Sequence, residues 1–140
     1  MRLTTNNRRT RILIPAIGAA IVYGSWALYA NWDHGLSSAV KASLTQAAMS
    51  FFFTAFISSL IEYLFTLSQR LLFRFLLPVF GASALTSSLL VLAHVMVGTP
   101  EIVRTILPSI VIGFIYGVGY TILLIYKSRS SVESLKKVSD

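Results

Sequence analysis

Four stretches of this chain, residues 12–30, 47–67, 76–98 and 106–126, each run for about twenty residues with few charges and mostly apolar side chains. About 20 such residues are what a helix needs to cross the hydrocarbon core of a bilayer. Lipid offers no hydrogen-bond partner to a backbone that is not helical. The pattern therefore predicts an all-α, polytopic membrane protein, a compact bundle of four transmembrane helices. The separating segments are too short to hold another domain, so residues 1–127 read as one transmembrane unit and residues 128–140 as a polar tail. Composition agrees, with 55% hydrophobic and 12% charged residues, against about 45–50% apolar and 25% charged in soluble domains. The chain has no cysteine, which excludes disulfides, iron–sulfur clusters and thiolate metal sites.

The first block follows a basic segment, Arg2, Arg8, Arg9 and Arg11, as a signal peptide would. Its length, its Trp26 and the large residues Leu28 and Tyr29 ahead of Asn31 favour a retained span instead. Charge then orients the bundle. Ten of the 12 basic residues lie before the first block, in the middle loop with Arg70 and Arg74, or in the tail, whereas only Lys41 and Arg104 lie in the other two loops. By the positive-inside rule both termini and the middle loop are cytoplasmic, and the plasma membrane, a bacterial inner membrane, is the expected location. Arg8, Arg9, Arg11, Arg70 and Arg74 are read as topology determinants that also attract anionic head groups. The net charge of +7 does not imply nucleic acid, because no binding module fits in loops this short.

Every fourth residue across the second block is polar: Gln46, Ser50, Thr54, Ser58 and Glu62. Residues four apart on a helix differ by only about 40° in direction, so Ser50 to Glu62 share a face with Ala47, Ala48 and Ala55. Phe52, Phe53, Phe56, Leu60, Tyr63, Leu64 and Leu67 point the other way, toward lipid. Small and hydroxylated faces let membrane helices approach and hydrogen-bond, and Ser and Thr also bond their own backbone. Ser50, Thr54 and Ser58 are accordingly read as packing residues first. Glu62 is different, because an ionisable group in a span is costly, roughly 2.5–3.5 kcal/mol at mid-depth, and needs a partner or a purpose. Arg9, Arg11, Arg70 and Arg74 are candidate ion-pair partners; the competing role is a protonatable carboxylate in a transport path.

In the third block His94 falls on the face of Ser83 and Ser87, where a hydrogen bond to a neighbouring carbonyl or hydroxyl is expected. Asp33, His34, Glu101 and His94 have the chemistry of zinc ligands but not the short spacings of ligand motifs, so no metal site and no cofactor is assigned. Asn31 to Gly35 reads as a turn, with Gly35 free to take a positive φ before a helix from about Leu36. Thr99-Pro100-Glu101 reads as a helix start capped by Thr99. Pro15, Pro78 and Pro108 are placed in or near the first turns of their spans. Gly113 and Gly117 make a G-x-x-x-G pair suited to close helix packing, within the bundle or in a dimer.

Catalytic signatures are absent: there is no G-x-S-x-G, no H-E-x-x-H and no phosphate-cradling loop. The expectation is a non-enzymatic accessory or scaffold subunit that binds partner helices, lipids or a second copy of itself. The alternative is a minimal oligomeric transporter, flippase or channel that uses Glu62, with His94, Gln46, Ser50, Thr54 and Ser58 as the other intramembrane candidates.

Overall fold

Small side chains, rather than large ones, make most of the interior. Ala16, Ala27, Ala39 and Ala42 are fully buried, whereas Phe52, Phe56, Tyr63 and Leu92 are more than half exposed. A soluble core would invert that order; helices that meet in lipid keep small residues at their contacts and turn bulky ones outward. The computed structural model describes the backbone of residues 5–139 and the side chains of residues 13–130. It is 91% helical and forms a compact bundle. Four helices are long and apolar enough to cross a membrane, and no strand occurs among the described residues.

The helices are α1 (Thr5–Ala30), α2 (Leu36–Thr66), α3 (Leu71–Met96) and α4 (Ile102–Ser139). A 3-10 turn, Trp32–His34, links the first two, and Gly35 takes φ +90° before α2 begins. That turn and the start at Leu36 are as the sequence indicates. The apolar blocks nevertheless understate the helices. The second apolar block covers residues 47–67, whereas α2 runs from Leu36, where Ala39, Ala42, Gln46 and Ser50 form a buried row at helical spacing. Hydropathy stops at the polar residues between them, while the backbone does not. The third and fourth helices likewise start earlier than residues 76 and 106, and α4 continues through most of the tail as far as Ser139.

These earlier starts place the prolines inside helices. Pro15 and Pro108 are accommodated in α1 and α4, as membrane helices permit when neighbouring groups re-satisfy the freed carbonyl. Pro78 acts more visibly. It cannot donate to the carbonyl four residues before it, and the helix there widens into a π turn over Leu77–Gly81, with Pro78 and Val79 buried.

Helices α1 and α2 form the tightest pair. A Cβ added to Gly24 would lie 3.0 Å from Ala47 Cβ and 3.3 Å from the Ser43 carbonyl oxygen, so this crossing leaves no free room for a side chain at residue 24. At the far end of α3, Gly98 takes φ +69°. Its N–H donates to the Val95 carbonyl at 3.1 Å and the Thr99 N–H to the His94 carbonyl at 3.0 Å, the paired bonds of a left-handed glycine cap.

Candidate functional site

The polar residues gather at two levels of the bundle with an apolar cleft between. The first level centres on His94, which is fully buried. Its Nε2 lies 2.7 Å from Gln46 Oε1 and its Nδ1 lies 2.8 Å from Thr99 Oγ1. Gln46, also fully buried, donates through Nε2 to Ser109 Oγ at 2.5 Å. With the amide so oriented, His94 donates through Nε2 to Gln46 and accepts the Thr99 hydroxyl proton at Nδ1. One chain of bonds thus ties α2, α3, the loop after α3 and α4 together. The hydrogen-bonded histidine expected from the sequence is present, with an amide and a hydroxyl as its partners.

Asn31 extends the same level to α1. Fully buried, it donates to the Ala27 carbonyl at 2.9 Å and to Thr105 Oγ1 at 2.8 Å, and it accepts from the Glu101 N–H at 3.0 Å. Asn31 therefore caps the start of α4 from the turn that follows α1. This corrects the role expected for Thr99, whose hydroxyl is held by His94, and α4 starts at Ile102. The Trp26 indole donates to the Arg104 carbonyl at 2.8 Å. Among the described residues no group of three or more His, Asp or Glu could hold a metal. His34 Nε2 lies 3.3 Å from Glu101 Oε1, but His94 is turned away from them into the bundle.

The second level centres on Glu62, sixteen residues or about 24 Å along α2 from Gln46. The ion pair expected there is not formed with Arg70 or Arg74. Tyr120 of α4 donates to Glu62 Oε1 at 2.5 Å, and the ring of Tyr120 stacks on Tyr116 at 5.7 Å. Tyr116 OH in turn lies 2.7 Å from Ser58 Oγ. The Arg74 guanidinium sits 4.1 Å above the Phe65 ring centroid, a cation–π contact. Arg70 is exposed. Arg8, Arg9 and Arg11 lie outside the residues whose side chains are described.

The stripe from Gln46 to Glu62 is therefore not one inward face. Gln46 is fully buried and Ser50 is 5% exposed, whereas Thr54 and Ser58 are half-buried and Glu62 is exposed. A four-residue repeat gains about 40° per step on a helix of 3.6 residues per turn, so the polar row spirals out of the bundle over four steps. Ile61 and Phe65 take its place inside.

Between the two levels lies a cleft of about 270 Å³, partly open at the surface of the bundle. Its walls include Phe53, Ile57, Ile61, Leu90 and Ile110, with Ser50, Thr54, Ser83, Thr86, Ser87 and Ser109 among them. Gly113 and Gly117 also line it. A Cβ on either glycine would meet nothing within 4 Å, so the G-x-x-x-G pair is not the helix contact expected within the bundle. The missing side chains leave the cleft instead. Thr86 donates to the Ala82 carbonyl at 2.8 Å, the self-satisfied state available to any helical Thr. The Ser50 hydroxyl is buried and has no partner.

Sequence reasoning singled out Gln46, Ser58 and Glu62 but not the residues they bind, Ser109, Tyr116 and Tyr120, nor the Asn31–Thr105 bond beside them. The available signal was the i, i+4 pair Tyr116 and Tyr120, which a helix projects onto one face. Comparison of the chain with protein-family models, with curated proteins and with solved structures gives no match.

Proposed function

We propose that this protein is a non-enzymatic accessory or scaffold protein of the plasma membrane, a bacterial inner membrane, with both termini cytoplasmic. On this reading it binds partner helices or lipids through the open side of its bundle. The carrying observation is the open cleft, bordered by Gly113 and Gly117 with nothing within 4 Å of their missing side chains. Small residues normally face a neighbour in membrane helices, and a Cβ added to either of these would meet none inside the bundle. The polar residues that a catalyst would need are bonded to one another across helices.

A second reading, a minimal oligomeric transporter, flippase or channel, is favoured by one feature. Glu62 connects through Tyr120 and the stacked Tyr116 to the wall of the cleft. Glu62→Gln separates the two. A glutamine oxygen still accepts from Tyr120, so the scaffold reading expects unchanged abundance and unchanged co-purifying lipids and proteins. The transport reading expects unchanged abundance with loss of proton-linked flux in vesicles. Abundance and assembly measured together with flux decide between them.

A further inference from the structure

Glu62 stands on the outer surface of α2 among apolar neighbours. Tyr63, Leu67, Leu71 and Leu72, all at or nearer the turn that joins α2 to α3, are more than half exposed, so the apolar belt of the bundle continues past it. Glu62 is about 7.5 Å inside Leu67 along the helix. An ionised group facing hydrocarbon needs a counter-charge. Among the described side chains its partner is the neutral hydroxyl of Tyr120, which takes one of about four acceptor positions on a carboxylate. The Arg74 guanidinium faces the Phe65 ring instead.

Ser58 and Glu62 are one turn apart on α2, as Tyr116 and Tyr120 are on α4, and their two hydrogen bonds form successive rungs between the helices. The tyrosine rings lie 9° from parallel. Tyr116 is 42% exposed and also lines the cleft of about 270 Å³. A carboxylate, free aromatic surface and an apolar recess thus follow one another within about two helical turns. Each narrows the ligand. The carboxylate repels anions and favours a cation over a neutral lipid chain. Aromatic faces attract cations, organic ones included. The recess walls Ile57, Ile61 and Ile110 take an apolar body. Water and metal ions leave that recess empty, and the ammonium of an ethanolamine lipid lies on the water side of its phosphate, outside the depth of Glu62. A cavity of about 150 Å³ holds one benzene, so by proportion the recess takes a body of up to about eleven heavy atoms.

We propose that Glu62, Tyr116 and Tyr120 form a binding site for a small organic ammonium compound, its charge beside Glu62 and the tyrosine pair and its apolar body in the cleft. The site rests on Glu62 being the working residue, as in the second reading above, whose ligand class it names; it requires binding and not flux.

Benzyltrimethylammonium, a phenyl group and a cationic head of matching size, is the probe. Binding of the tritiated probe to the full chain is measured by equilibrium dialysis in micelles of an uncharged maltoside detergent. Saturable binding is expected, displaced by excess unlabelled probe but not by neopentylbenzene, which has the same shape with carbon in place of the charged nitrogen. Glu62→Gln keeps an acceptor for Tyr120 and is expected to weaken binding at least about tenfold, since unit charges a few ångströms apart attract strongly where water is excluded. Tyr116→Leu is expected to weaken it about three- to tenfold, the loss of one cation–π contact. Displacement by neopentylbenzene, or equal binding to the wild type and Glu62→Gln, overturns the proposal. The competition uses only the unaltered chain, so it decides even if a variant fails to fold. Probe binding without probe uptake into vesicles supports the site and removes the transport reading, whereas proton flux without probe binding removes the site and leaves that reading, so the two fail separately.

Discussion

His94 is the residue on which most of the bundle converges. Its ring bonds Gln46 and Thr99, and its carbonyl accepts from the Thr99 N–H. Removing Gln46 leaves a buried imidazole N–H and the Ser109 hydroxyl without a partner. Gln46→Ala should therefore lower stability by about 1–3 kcal/mol, measured as reversible unfolding in mixed micelles. The double variant with His94→Ala should lose less than the sum of the two single losses, because both delete the same bond. Additive losses would show that the contact contributes nothing. Asn31→Ala removes the cap and one further bond from the start of α4, and one bond to the end of α1, and should destabilise to a similar degree.

At the scale of the helix, the glycines predict opposite outcomes from the same substitution. Gly24 has an alanine Cβ and a backbone carbonyl within 3.3 Å of where its own Cβ would stand, and Gly113 has nothing within 4 Å. Gly24→Ala should push α1 off α2 and lower the unfolding midpoint. Gly113→Ala should be neutral or stabilising, by up to about 0.5–1 kcal/mol from helix propensity alone. Equal effects would contradict the packing described. The same elements show where sequence reading was sufficient. Four apolar blocks were enough to give four helices, since backbone satisfaction in lipid leaves no alternative. The start of α2 near Leu36 was legible from the turn at Asn31 to Gly35, but not from the apolar block, because Lys41 and the hydroxyl residues Ser37, Ser38, Ser43 and Thr45 interrupt a segment that is helical through its buried row Ala39 and Ala42. Glu62 was legible as an anomaly, but Tyr120 as its partner was not, since hydropathy carries no information on which helices are neighbours.

The molecule as a whole joins a firmly bonded level around His94 to a loosely filled middle. Interhelical hydrogen bonds at the Asn31, Gln46 and His94 level tie all four helices, whereas the middle is held apart around the cleft. The orientation expected from the basic residues is testable because the chain lacks cysteine. A single cysteine at His34 should react with an impermeant thiol reagent added to intact cells, and one at Ser68 only after lysis. The reverse pattern would invert the bundle.

On the proposed reading, the open side of the bundle holds a lipid, a small molecule or a partner helix. Native mass spectrometry of the full chain, released from mild detergent, tests it directly. The expected result is a bound lipid, small molecule or protein subunit on the wild-type chain, lost when Gly113→Leu fills the cleft. A bare wild-type monomer with the same mass profile as Gly113→Leu would contradict it.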